Sequence, residues 1–244
     1  IGLAAAGLLA AAPVMISYSV NARGYTLITL CTLLLFLLAD FVREEKNLAA
    51  WALMILITAL GFYTIPTMLY PFGIVFAWLA LAGLQREISS GYGGWKGWLR
   101  YLAGYGALSA MLSILFYVPI FRVKGVLEVF IHDPIVQSFS LADFFGLFPA
   151  EAAAIQGEWL SGPLPAWLAP ACLIGVGASI FLQKRVGRSR VSIPLAALLF
   201  VVPTLMVQRP LILARVWVFL LPLLVISGLA GWASFRTVIS VRHW

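Results

Sequence analysis

The chain has 244 residues, of which 63% are hydrophobic and 10% are charged, and its mean hydropathy is +1.02. A soluble domain of this length could not cover so much apolar surface with polar residues, so the composition excludes a soluble protein and indicates a polytopic membrane protein. The net charge of +7 does not indicate nucleic-acid binding, because the basic residues stand in short connections between apolar runs. We therefore expect no nucleic-acid partner.

Apolar runs long enough to cross a bilayer occur eight times along the chain. They comprise residues 1–16, 25–42, 48–63, 67–84, 100–121, 165–183, 192–207 and 213–232. The predicted fold class is all-α, a polytopic transmembrane helix bundle of about eight spans that forms one domain over residues 1–244. Cys31 and Cys172 lie inside apolar runs without the spacing of a metal or redox site, so we interpret both as packing residues.

The positive charges predict how the bundle is oriented. If the spans alternate, connections 43–47, 85–99, 184–191 and 233–244 share one side, and connections 17–24, 64–66, 122–164 and 208–212 share the other. Of the 16 Lys and Arg residues, 11 stand on or beside the first set of connections and 5 beside the second. The positive-inside bias then places the first set, and both ends of the given sequence, in the cytoplasm.

Three arginines on the predicted outer side are candidates for binding an anion. Arg23 lies between the first two spans, just after the polar Ser17-Tyr18-Ser19, while Arg209 and Arg215 flank the last span. A guanidinium is expensive to keep near lipid and matches a phosphate bidentately, so we expect these side chains to line one cavity that binds a lipid phosphate or diphosphate. The alternative is that they extend to lipid headgroups at the interface.

The connection over residues 122–164 is the only long one, and it lies on the same outer side. Its apolar clusters alternate with carboxylates, which predicts short helices lying in the plane of the interface. Ser140 is a predicted N-cap, and Pro149 is predicted to stop the following turn after Phe148. On the opposite side, residues 89–98 are predicted to form a flexible loop with Trp95 and Trp98 at the interface.

Acid and base candidates are few. His132 and Asp133 could act as a proton-transfer pair near neutral pH or could simply make a loop contact, and Asp133 and Asp143 are further candidates for the base. No spacing typical of a metal site occurs, so no cofactor is identified and a divalent metal has no oxygen-ligand cluster to support it. The residues alone indicate an outward-facing anion site without a complete catalytic set.

Three segments carry a resemblance to a known class of enzymes. They are AAPVMISYSVNARGYTLITL, WALMILITALGFYTIPTMLYPFGIVF and QRPLILARVWVFLLPLLVISGLAGW. In their order and in their shared sidedness they resemble bacterial GT-C class membrane glycosyltransferases, such as the protein O-mannosyltransferases and the aminoarabinose transferase that acts on lipid A.

The resemblance implies a function and a site. The donor would be a polyprenyl-phosphate-linked sugar that enters from the membrane lipids of the bacterial inner membrane, and the sugar would pass to an acceptor on the outer face by an inverting displacement. Arg23 and Tyr25 would line the site and Arg215 would hold the donor phosphate. The family's catalytic carboxylate lies in a first outer loop that we expect upstream of Ile1, so the catalytic residue is unknown here and the chain is expected to be a fragment of a larger GT-C fold.

Two other classes of function stay open at this point. A transporter or flippase of an anionic lipid or solute would also need kinked helices and cations in a cavity. A non-catalytic membrane subunit that holds a partner is the third reading.

Overall fold

The computed structural model describes residues 1–20, 24–125, 139–160, 167–183, 189–209 and 214–241. The regular structure in these ranges is helical, and no strand occurs in them. The α-helices are α1 Gly2–Ala11, α2 Pro13–Val20, α3 Tyr25–Glu44, α4 Leu48–Thr64, α5 Leu69–Leu84, α6 Trp95–Lys124, α7 Leu141–Leu160, α8 Leu168–Phe181, α9 Ile193–Gln208 and α10 Leu220–Val241. Short 3₁₀ turns form at Pro66–Met68, Ser90–Tyr92 and Ala214–Trp217.

The lengths and apolarity of these helices are those of a membrane bundle. Three helical segments are long and apolar enough to cross a bilayer, namely Tyr25–Glu44, Pro66–Leu84 and Trp95–Val123, and α1 with α2 makes a fourth if the pair is one span. Four shorter apolar helices lie at Leu48–Thr64, Leu168–Phe181, Ile193–Gln208 and Leu220–Phe235. The predicted all-helical membrane bundle is confirmed, while the number of eight spans stays a prediction.

Outward-facing apolar side chains agree with a lipid environment. Leu37, Phe181 and Val207 are 68%, 88% and 76% exposed. Large apolar side chains exposed along several helices of one protein mark a surface that meets an apolar solvent or a partner. The interior is formed mainly by α3, α4, α5, α6 and α9, where Leu35, Met54 and several other side chains are fully buried.

The predicted first span is broken into two helices. Helix α1 ends at Ala11, Ala12 has extended backbone, and α2 starts at Pro13 with its axis bent by 64° from that of α1. Proline has no N–H for the helix and disfavours helical backbone at the residue before it, which explains a break at Ala12. The polar Ser17-Tyr18-Ser19 stretch, which lies in the predicted connection 17–24, is part of helix α2.

Helices α8 and α10 pack backbone against backbone. A Cβ at Gly231 would collide with the Gly175 carbonyl, and a Cβ at Gly175 would collide with the Gly228 carbonyl. The Trp232 indole N–H donates to the Ala171 carbonyl at 2.8 Å across the same contact. Close approach through small residues is how apolar helices associate without a hydrophobic driving force.

One end of the bundle, which we call the Arg43 end, gathers residues 43–47, 85–94 and 189–192. The Ser89 N–H donates to the Arg43 carbonyl at 2.9 Å, and the Ser189 hydroxyl donates to the Glu87 carboxylate at 2.9 Å. Arg43 itself is buried, donates to Asp40 at 2.6 Å and lies over the Trp78 ring. Three connections that were predicted to lie on the same side of the membrane thus meet at one end of the bundle. The side of the membrane that this end faces stays a prediction.

The opposite end, which we call the Arg215 end, gathers residues 18–25, 62–68, 139–140, 208–209 and 214–217, apart from 21–23, which lie outside the described ranges. Tyr70 donates to the Gln208 side chain at 2.9 Å, and the Phe139 N–H donates to the Arg209 carbonyl at 3.2 Å. A Cβ at Gly24 would lie 2.7 Å from the Thr64 methyl. The connections predicted for the second side therefore also meet at one end.

Helix α7 crosses the Arg215 end. Its start follows Phe139, which is bonded to Arg209, and its last turn contains Glu158, which is bonded to Tyr18 at the same end. A helix of 20 residues is about 30 Å long, so α7 runs across this end from the neighbourhood of Arg209 to that of Tyr18. Ser140 caps it as predicted, since its hydroxyl accepts from the Asp143 N–H at 3.2 Å.

Two local predictions were wrong. Pro149 does not stop the helix, because α7 continues through it to Leu160. One helix of 20 residues therefore stands where short helices were predicted. Residues 89–98 are not a flexible loop, because Ser90–Tyr92 forms a 3₁₀ turn and α6 starts at Trp95. Trp98 is fully buried and donates to the Leu79 carbonyl at 3.1 Å, so its role is packing.

Candidate functional site

The polar centre of the Arg215 end is a contact between two distant parts of the chain. The Tyr18 hydroxyl on α2 donates to the Glu158 carboxylate on α7 at 2.7 Å. A hydrogen bond to a charged acceptor is among the stronger ones available to a side chain. It joins the broken helix pair to the helix that crosses this end.

Arg215 lies next to this contact. It stands in the 3₁₀ turn Ala214–Trp217 just before α10, is half-buried, and lies within electrostatic range of the Tyr18 hydroxyl. The turn also contacts α7, the helix that carries Glu158. One cation, one carboxylate and one phenol therefore share a small region.

Tyr25 completes the aromatic side of this region. Its ring meets the Tyr18 ring edge-on, with the centroids 5.5 Å apart. Gly24, directly before it, has a φ of +76° and packs against Thr64 and Ile65, so this position requires a residue without a Cβ. The backbone before α3 is thereby fixed, and so is the position of Tyr25.

An apolar cavity of about 300 Å³ opens beside the polar centre. Its walls come from α1, α7, α8 and α10, and Trp159, the neighbour of Glu158, is one of them. The lining is Leu8, Leu9, Ala12, Ala152, Ile155, Gln156, Trp159, Leu168, Ala169, Cys172, Leu173, Leu221, Leu224 and Val225. With Gln156 as its single amide, this lining suits a hydrocarbon chain and not a polar solute.

A second cavity of about 250 Å³ lies between α7, α9 and the start of α10. Trp159 and Trp217 both line it, and their buried indole N–H groups have no acceptor among the described residues. The buried Thr67 hydroxyl, in the 3₁₀ turn at this end, also lacks a partner within the described part of the chain. The fourth such group among the described residues, the Ser109 hydroxyl, lies within α6. Buried donors without acceptors are costly, so three of them at the Arg215 end indicate a place where a ligand or water supplies oxygen atoms.

The structure brings only some of the predicted site residues close to Tyr18. Arg215 and Tyr25 lie beside Tyr18, as described above. Arg209 is half-buried at the C-cap of α9 with a φ of +45°. Its backbone N–H donates to the Leu205 carbonyl at 2.8 Å, and its carbonyl accepts from the Phe139 N–H at 3.2 Å. Asp143 is exposed and accepts from the Ser140 hydroxyl at 2.6 Å, which gives it a capping role in α7. Arg23, His132 and Asp133 lie outside the described residues.

Sequence reasoning did not single out Glu158, Trp159 or Trp217. Tyr18 was noticed only as part of a polar stretch, and its partner Glu158 is 140 positions away. No local pattern connects these residues. Only the packing of α7 across the Arg215 end brings them together.

The described residues contain no group of three or more His, Cys, Asp or Glu side chains placed to hold a metal ion. Comparison of the chain with protein-family models, with characterised proteins and with solved structures gives no match. The relation to GT-C glycosyltransferases therefore stays a prediction from the three sequence segments.

Proposed function

We propose that this protein is an integral membrane glycosyltransferase that takes a sugar from a polyprenyl-phosphate carrier and passes it to an acceptor at the Arg215 end. The observation that carries the proposal is the apolar cavity directly beside the cluster of Arg215, Tyr18 and Glu158. A lipid-linked sugar phosphate has the same two parts, a hydrocarbon chain and an anionic head, in the same order.

The hydrocarbon chain occupies the apolar cavity. Its walls are formed by four helices, and Ala12, at the break between α1 and α2, is one of the lining residues. Burial of apolar surface contributes roughly 25 cal/mol per Å², so a chain in such a cavity adds affinity without adding specificity for the sugar.

The phosphate is bound by Arg215. When the bond between sugar and phosphate breaks, negative charge accumulates on the phosphate oxygens, and a fixed guanidinium stabilises that charge where it develops. Glu158 holds Tyr18 by the 2.7 Å hydrogen bond and so fixes the aromatic wall beside the arginine. The indole N–H groups of Trp159 and Trp217, which have no acceptor among the described residues, donate to oxygen atoms of the bound head.

A transfer assay tests the proposal. The protein is reconstituted in liposomes with a panel of polyprenyl-phosphate-linked sugars and a panel of candidate acceptors, and transfer of label from the carrier lipid to an acceptor is followed. Arg215→Ala is expected to lower turnover about 100-fold or more, as is typical when one donor to a developing anion is removed. Arg122→Ala removes an exposed cation at the end of α6 and is the matched control. Equal rates for Arg215→Ala and the unaltered protein would remove Arg215 from the site.

A second variant pair tests the place of the hydrocarbon chain. Ala152 lines both cavities, and its neighbour Ala153 is exposed and lines neither. Ala152→Trp is expected to raise the KM for the lipid donor, whereas Ala153→Trp leaves it unchanged. A donor with a strongly shortened chain should be insensitive to both substitutions.

The break between α1 and α2 favours one alternative, a flippase for an anionic lipid. Discontinuous helices near a cavity are typical of membrane transporters. The two functions are separated by following a fluorescent polyprenyl phosphate in the same liposomes. Movement between leaflets without cleavage of the sugar bond would favour the flippase.

A further inference from the structure

A groove of about 690 Å³ runs between α4 and α6 next to the Arg43 end. It lies at the end of the bundle opposite the candidate site, and it shares no lining residue with the two cavities there. The proposed transfer reaction makes no use of it.

The mouth of the groove is basic and aromatic. Lys46 and Arg100 line it and are both exposed. The Lys46 ammonium lies 5.3 Å from the centroid of the Tyr101 ring, and Tyr101 stacks on Trp51 at 6.1 Å. Neither cation forms an ion pair with a carboxylate in the described part of the chain. Two cations on an aromatic wall therefore face an open space with no acidic partner inside it.

The rest of the groove is apolar. Leu48 and Ile55 line it on α4, and Gly104 and Leu108 line it on α6. From Arg100 to Leu108 the helix rises about 12 Å, so the apolar part runs from the mouth toward the middle of the bundle. A Cβ added at Gly104 would meet no atom within 4 Å, which shows that this glycine leaves the groove open and is not required by packing.

We propose that this groove binds an anionic phospholipid, with the phosphate of the headgroup between Lys46 and Arg100 and an acyl chain along Ile55, Gly104 and Leu108. Basic pockets between transmembrane helices are suited to anionic headgroups. A packing helix of another protein would fill the apolar part but would leave both cations without a partner. The charge at the mouth thus selects a lipid with a negative headgroup.

Native mass spectrometry of the full chain in detergent tests the proposal. The protein is titrated with phosphatidylglycerol, with phosphatidylcholine and with inorganic phosphate, and bound copies are counted. Lys46→Ala with Arg100→Ala is expected to raise the Kd for phosphatidylglycerol about 30-fold and to leave the weaker binding of phosphatidylcholine unchanged. Lys96→Ala, which removes an exposed cation of α6 outside the groove, is the matched control.

A steric variant separates a lipid from a free anion. Gly104→Leu fills the apolar part without touching either cation, so it should weaken phosphatidylglycerol binding and leave binding of inorganic phosphate unchanged. Equal affinity for the two lipids in the unaltered protein would overturn the proposal. So would an equal loss in the Lys96→Ala control, or phosphatidylglycerol binding that ignores Gly104→Leu.

Discussion

The two ends of the bundle differ in whether their buried indole N–H groups have hydrogen-bond acceptors. At the Arg43 end, the Trp51 indole N–H donates to the Tyr92 hydroxyl at 3.1 Å, and that hydroxyl donates to the Val42 carbonyl at 2.6 Å. At the Arg215 end, the indole N–H groups of Trp159 and Trp217 have no acceptor among the described residues and adjoin cavities. The buried donors at the Arg43 end therefore hold helices together, whereas those at the Arg215 end are left for a bound ligand or water.

At the Arg43 end the aromatic side chains form a network whose polar groups are hydrogen-bonded. Tyr92 packs edge-on against Trp98 at 4.8 Å and against Tyr101 at 5.1 Å. Burial raises the pKa of the Tyr92 hydroxyl, and the hydrogen bond from the Trp51 indole opposes that rise. The hydroxyl therefore stays protonated and donates across the physiological range. Such a network rigidifies the contacts between α3, α4 and α6.

The largest effect is expected at the Arg43 end, where the start of α6 packs against Tyr92. A Cβ at Gly97 would collide with the Tyr92 carbonyl, so Gly97→Ala should lower the free energy of unfolding by about 3 kcal/mol through overpacking. Gly104→Ala, on the same helix, meets no atom within 4 Å and should be neutral or stabilising by up to about 1 kcal/mol. Thermal unfolding in detergent measures both. Equal melting temperatures would show that α6 starts differently.

A matched pair of Trp→Phe substitutions isolates the hydrogen bond that distinguishes the two ends. Both remove similar volume, but Trp51→Phe also breaks the bond to Tyr92, whereas Trp217→Phe deletes a donor that has no protein acceptor in the described residues. Trp51→Phe should therefore be more destabilising, by about 1–2 kcal/mol. Chemical unfolding in mixed micelles gives the difference. The same or the reverse order would contradict the contrast between the ends.

The third expected effect concerns the bond between α8 and α10, which lies at neither end. Trp232→Phe removes the donor to the Ala171 carbonyl at an exposed position, and the cost should be about 1 kcal/mol. Neither Trp232 nor Ala171 lines either cavity of the candidate site, so binding of the lipid-linked sugar in the transfer assay should not change. A loss of binding larger than the loss of stability would mean that the two helices position the site.

The smallest effect on stability is expected for Tyr18→Phe. Its hydrogen bond to Glu158 is exposed to solvent, so the free energy of unfolding should change by only about 0.5 kcal/mol. If the Arg215 end is organised for a ligand, the same substitution should weaken binding of the lipid donor more than it weakens the fold. Isothermal titration calorimetry measures the change in affinity for the lipid donor, and thermal unfolding of the same sample measures the change in stability. A variant that loses stability and affinity in proportion would assign Tyr18 a structural role alone.

Part of the fold could be predicted because its causes are local. The run of apolar residues from Tyr25 predicted a helix that the structure places at Tyr25–Glu44, and Asn47 caps α4 by accepting from the Ala50 N–H at 3.0 Å. The errors arose where tertiary contacts outweigh local signals. Pro149 is tolerated inside α7 where it crosses the bundle, and the glycines around residue 94 lead into a packed helix in place of a loop.

The candidate site was predicted only in outline. Arg215 was selected because a cation beside an apolar run is costly to leave alone, and the structure puts it beside Tyr18. Glu158 carried no comparable signal, since an exposed carboxylate on an interfacial helix is ordinary. Its role depends on a partner 140 residues away.

By itself the sequence determined that this protein is a bundle of apolar helices. In lipid every backbone polar group must be satisfied within its own segment, so the length and apolarity of each run decide where a helix forms. Tertiary structure alone decided that α7 crosses the Arg215 end, that Tyr18 meets Glu158, and that cavities open beside them. Apolar helices have no strong periodic preference for one neighbour, so these contacts follow from close packing of particular side chains and not from the pattern of any single segment.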